Sequence, residues 1–160
     1  MVDELYEKMS LSEVIGPLKT KGIPLDALVR CMLAYKLGDN FSVLQASEWL
    51  NHPEMLEQYE LRSFDEKTLY RAVELLGHNQ EKIVQRLQDN VLELLGYPPT
   101  DIMLDWTSIA VYGDMSILAK YGYSRDHQPG ERQLTLGVAQ LAPPFDIPIA
   151  LTIEAGNIND

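Results

Sequence analysis

Apolar residues recur at three- and four-residue intervals through the first hundred positions and at two-residue intervals beyond them. The first period is that of helices with one buried stripe, the second that of strands with two unlike faces. Pro24 stands at a first-turn position, and Leu25, Leu28, Val29, Met32 and Leu33 follow at helical spacing up to Gly38, a C-terminal stop. Ser10 with Glu13 and Ser63 with Glu66 have capping-box spacing, and Ser42 can cap a helix through Leu50. Pro53 restarts a short turn holding Met55 and Leu56. Leu69, Ala72, Val73 and Leu76 form a stripe before Gly77, and a last helix is predicted from about Asn79 to Leu95, with Val84, Leu87, Val91 and Leu94 or Leu95 inward.

After Pro99 the pattern predicts strands over Ile102–Val111 and Gln133–Leu141, and a third in which Ile147, Ile149, Leu151 and Ile153 alternate. The APPFD connection at 142–146 is short enough for an antiparallel hairpin. The fold class is therefore α+β, with a helical region over 1–97 and a strand region over 98–160. The strands are expected to form one consecutive antiparallel sheet with Asp105 on its central strand.

Charge narrows the partners. The net charge is −11, with 10 basic against 16 acidic residues in 1–100 and 3 against 8 in 101–160. Nucleic-acid affinity rests on neutralising phosphates, so DNA contact has to be local. No stretch approaches the roughly 20 apolar residues of a membrane helix, and the acidic N-terminus MVDELYEKMS is unlike a secretory signal, which places the chain in the cytoplasm. Cys31, the only cysteine, lies among apolar helix positions and reads as a buried structural thiol.

Three groups of residues could carry chemistry. Asp105 lies mid-strand between Leu104 and Trp106, on the face of Met103 and Thr107. A carboxylate buried there would need a partner, a hydrogen bond or a metal; local backbone bonding and metal ligation both remain open. The loop YGYSRDHQPGE at 121–131 offers Arg125 and His127 to phosphate and tyrosines to a base, or is an ordinary turn. The helices near 42–51 and 65–76, joined by a short polar segment, could be a helix-turn-helix-like unit exposing Lys67, Thr68, Tyr70 and Arg71, or a plain bundle. His52 and His78 sit at helix boundaries as capping or solvent-facing groups, and the three histidines lack zinc-site spacing.

The runs LDWTSIAVYG, AKYGYSRDHQPGERQLTLGVAQ and IPIALTIEAGNIND, in this order, resemble the opening of the catalytic domain of insertion-sequence transposases of the DDE type, which share the RNase-H-like fold of retroviral integrases. SFDEKTLYRAVELL resembles the region preceding that domain. The resemblance rests on Asp-x-Thr at Asp105–Thr107, the Gly-Tyr-Ser-Arg-Asp loop from Gly122, and the ending from Gly156 to Asp160. It implies DNA transposition by phosphoryl transfer on two divalent metals, Mg2+ or Mn2+, held by three carboxylates. Asp105 matches the first of these, while Asp160 reads as an N-cap rather than the second. The other two carboxylates are absent from the sequence, so the resemblance implies a truncated RNase-H-like domain, inactive alone, with the outer face of its third strand exposed. Its implied partners are transposon-end DNA and itself or a full-length transposase. An alternative of another class is a DNA-end-binding or partner-binding module that inhibits a full-length transposase, and a third is an unrelated helical and sheet protein with a structural role, favoured if Asp105 is not on the central strand.

Overall fold

The computed structural model describes residues 2–38, 42–97, 101–113, 116–123 and 130–158. The chain divides into two compact units, Met1–Leu94 and Leu95–Asp160. The first is helical: α1 (Val2–Lys8), α2 (Leu11–Ile15), a 3-10 turn (Gly16–Leu18), α3 (Leu25–Gly38), α4 (Val43–Leu50), α5 (Pro53–Gln58), α6 (Lys67–His78) and α7 (Gln80–Leu94). The second holds β1 (Ile102–Val111), β2 (Arg132–Leu141) and β3 (Pro148–Ala155). The protein is thus α+β with a three-stranded antiparallel sheet.

The helical core is organised around α3, which packs against α1, α2, α4 and α6. Its Leu25, Leu28, Cys31 and Tyr35 fall on one face and are buried with Tyr6, Ile15, Leu50, Leu69 and Ala72. Each such leucine stabilises the fold by about 1.5–3 kcal/mol. Asp26, at the start of α3, joins three helices. Its carboxylate accepts the Tyr6 hydroxyl at 2.6 Å and the Ser12 hydroxyl at 3.1 Å. The Arg30 guanidinium lies 4.7 Å over the Tyr6 ring and 3.5 Å from Asp3. On α7, Asn90 donates to the Met9 carbonyl at 2.7 Å.

Of the three serine caps only Ser42 forms, as a full capping box with Gln45. Ser10 occupies a left-handed turn (φ 50) between α1 and α2, so its carbonyl, not its hydroxyl, accepts the Glu13 amide at 3.1 Å. Ser63 is drawn away by Asn51, to whose Oδ1 it donates at 3.0 Å, and Asp65 instead caps α6 by accepting the Lys67 amide at 2.8 Å. Helix α6 runs through Gly77 and stops at Asn79, whose side chain donates to the Leu75 carbonyl. Its buried stripe is Leu69 and Ala72 with half-buried Leu75 and Leu76; Val73 and, on α7, Leu94 turn to solvent.

In the sheet, β2 is central and pairs antiparallel with both neighbours, Asp105 opposite Val138 and Val138 opposite Leu151. A strand joined in succession to both others lies between them, so β1, and Asp105 with it, takes an edge rather than the centre. The covered face is also not the one its apolar residues suggest. Ser108, Gln133, Thr135 and Gly137 are buried on one side, whereas Ile109, Leu151 and Ile153 on the other are 42–47% exposed.

Part of that covering comes from residues 118–123. Lys120 exchanges backbone hydrogen bonds with Gln133, and the Gly156 amide donates to the Leu118 carbonyl at 3.2 Å. Gln133 then closes the junction: its side-chain amide donates to the Tyr123 carbonyl at 2.5 Å and to the Gly156 carbonyl at 3.2 Å. Gly122 and Gly156 are glycines for a steric reason. A Cβ on Gly122 would fall on the Gly156 carbonyl, and one on Gly156 would fall on the Gln133 carbonyl.

Candidate functional site

Asp105 is exposed, although its neighbours in sequence are apolar. The edge position explains this, because the face it shares with Met103 and Thr107 is open to solvent. The cost of burying a charge therefore does not arise here. One carboxylate oxygen accepts the Trp106 backbone N–H at 2.9 Å, the local bond left open by the sequence. A hollow of about 220 Å3 crosses the sheet at this level, lined by Asp105, Trp106, Gly137, Val138, Leu151 and Thr152. Trp106 and Thr152 flank Gly137, where a Cβ would meet both side chains at 2.7 Å.

Among the described residues no group of three His, Cys, Asp or Glu side chains could hold a metal ion. Asp105 alone offers a divalent ion one carboxylate, leaving most of its shell to water. The described residues therefore do not fit a two-metal centre, and no chemical step is assigned through one.

Lys67 and Arg71 lie on α6, one turn apart on one stripe, and both are exposed. The helix-turn-helix reading of their surroundings meets an obstacle. Between α4 and α6 the chain from Asn51 to Glu66 includes α5, in place of the three- to four-residue turn of that motif. Asn51 braces this segment, donating to the Ser47 and Phe64 carbonyls and accepting from Ser63 and the Phe64 amide. The helices form a packed bundle around α3.

What α6 presents instead is a hollow of about 390 Å3, where Thr68, Arg71, Glu74 and His78 meet Lys19 and Ile23 from the loop before α3. Sequence reading missed Lys19, which is remote from α6 in the chain, and took His78 only as a boundary residue. The sign available in sequence was the i, i+4, i+11 spacing of Lys67, Arg71 and His78 along one face. Arg125, His127 and Asp160 lie outside the described residues.

Cys31 is fully buried, and burial pushes its thiol up to about 12, which removes it as a nucleophile. No helix among the described residues is long and apolar enough to cross a membrane. No family model, curated protein or solved structure matches the chain.

Proposed function

We propose that the chain is a transposase-like protein of a mobile element, built on the RNase-H-like plan, whose described residues supply DNA contact and one carboxylate. The supporting observation is the sheet. Its three strands follow one another as an antiparallel meander, with Asp105 at solvent near the middle of the first. The consecutive antiparallel order is the one expected for the opening of such a domain. The edge position of Asp105, by contrast, departs from the central strand expected of it and favours an unrelated helical and sheet protein. Phosphoryl transfer on Mg2+ or Mn2+ would take carboxylates beyond Asp105. With the full chain, the DNA flanking its reading frame and either ion, binding without cleavage is expected. Metal-dependent nicking that disappears in Asp105→Ala would overturn the expectation that the chain is inactive alone, and no DNA binding at low salt would overturn the transposase-like reading itself.

A second reading, a DNA-end-binding or transposase-partner-binding module that inhibits, is favoured by the exposed stripe of Lys67 and Arg71. The open apolar sheet face around Ile109, Leu151 and Ile153 suits a second copy of the chain or a full-length transposase. Gel shifts with the same DNA should weaken in Lys67→Gln and Arg71→Gln; an absence of binding at low salt counts against both readings.

A further inference from the structure

The hollow beside α6 joins two kinds of surface. Its floor is apolar, made by Ile23, Leu25, Ala72 and Leu75. Its rim is polar, with the Lys19 ammonium, the Arg71 guanidinium, the His78 imidazole, the Thr68 hydroxyl and the Glu74 carboxylate. About 390 Å3 lies within the range of small-ligand pockets, roughly 300–1,000 Å3.

Two of the rim groups, Lys19 and His78, are held in place by their own bonds. Lys19 donates to the Ile23 carbonyl at 2.6 Å across a tight turn with Gly22 at φ +80, which leaves two ammonium hydrogens to donate elsewhere. His78 Nδ1 bonds the Glu74 carbonyl at 2.8 Å; a carbonyl only accepts, so the proton is on Nδ1 and Nε2 is left for another partner. Arg71 has no hydrogen bond or ion pair among the described residues and retains its fork of donors.

A bare anion suits this site poorly. It would leave the apolar floor wet and would bring its charge against the Glu74 carboxylate. A ligand with a flat apolar body, hydrogen-bond donors and an anionic group matches all three surfaces. We propose that this hollow binds a nucleoside monophosphate unit, with its base on the Ile23–Leu75 floor, its phosphate at Lys19 and Arg71, and a sugar hydroxyl or base amino group donating to Glu74. The unit could be a free mononucleotide or the 5′-phosphorylated end of a DNA strand. The inference deepens the DNA-contact part of the proposed function, on which it rests only for the second source.

The test is calorimetric titration of the full chain with deoxyadenosine monophosphate, with inorganic phosphate, and with a short single strand bearing or lacking a 5′-phosphate. The mononucleotide is expected to bind, and more tightly than inorganic phosphate. Arg71→Gln and Lys19→Gln, each checked for native circular dichroism, should weaken it by about tenfold or more, the worth of one charge-assisted hydrogen bond. Lys82→Gln, on the exposed surface of α7, should leave it unchanged. A phosphorylated strand that outbinds the mononucleotide supports the DNA end as the source, and the reverse order supports the free nucleotide. No heat at millimolar mononucleotide, or binding that both charge-removing variants leave intact, overturns the proposal. Lys67→Gln separates the two ideas, since it should weaken DNA binding without touching the mononucleotide. DNA shifts without mononucleotide binding defeat the hollow alone, and mononucleotide binding without DNA shifts defeats the DNA reading alone.

Discussion

Replacing Gln133 by leucine removes the clasp at the end of β2 while keeping much of the side-chain volume. Gln133 is only 3% exposed, and its amide nitrogen serves two carbonyls, those of Tyr123 and Gly156. Gly156 is buried, so its carbonyl loses a partner that water cannot replace, at a cost of about 1–3 kcal/mol. Tyr123 is 81% exposed, so its carbonyl can turn to water and the loss there is that of one net hydrogen bond, about 0.5–1.5 kcal/mol. Added apolar burial from leucine offsets about 1 kcal/mol of this, which leaves a destabilisation of about 2 kcal/mol. Trp106 is the only tryptophan of the strand unit, and Trp49, packed 5.3 Å from the Tyr35 ring, belongs to the helical one. In a Trp49→Phe background, Trp106 fluorescence therefore follows the sheet alone. With a urea slope of about 1 kcal/mol/M for a unit this small, the midpoint should fall by about 2 M. A midpoint within about 0.5 M of the parent refutes the clasp.

Two further outcomes follow from packing and burial. Gly156→Ala should unfold the sheet, because its Cβ falls on the backbone carbonyl of Gln133, whereas Gly137→Ala should cost less, because the atoms it meets are side-chain atoms of Trp106 and Thr152; equal Trp106 midpoints for the two variants would contradict this order. The Cys31 thiol, moved by burial from 9.0 to about 12, stays protonated in the fold while the unfolded chain loses its proton near 9. Its contribution is thus complete below about pH 9 and is lost as the pH climbs toward about 12. Burial raises Tyr6 and Tyr59 as well, which adds a fall of the same sign at higher pH. Urea midpoints read at 222 nm should drop between about pH 8 and 10.5 by less in Cys31→Ala than in the parent; identical drops would remove the thiol from the account.

The hydrophobic period located most elements because it is a local property. Strand β1 spans Ile102–Val111 as its composition predicts, and α3 runs from Leu25 to Gly38 as its leucine spacing predicts. What failed depended on partners remote in sequence. Ser63 has the spacing of a cap, but Asn51, reaching back to the Phe64 backbone, claims its hydroxyl. Period-2 alternation separates two faces of a strand without saying which is covered, and on β2 the covered one carries Gln133, Thr135 and Gly137. The same ambiguity turned Asp105 from a costly buried charge into an ordinary solvated one. The hollow at α6 was illegible for a related reason, since Lys19 reaches it only through the packing of α3 against α6.

Folding itself accounts for part of the pattern on which the resemblance rests. Gly122 and Gly156 are demanded by close backbone approach around Gln133, whatever chemistry the protein performs. Asp105 and Thr107 have no such duty. Both are exposed, and the one hydrogen bond of Asp105 goes to the amide of its own neighbour. Asp105→Asn keeps an acceptor oxygen for that amide and alters only a solvated charge. Its effect on the Trp106 urea midpoint should therefore stay within about 0.5 kcal/mol. If that holds, any change this variant brings to DNA nicking or binding is a change in chemistry rather than in folding. A loss above about 1 kcal/mol would show the carboxylate to be a structural group, and the resemblance would then rest on residues that folding alone requires.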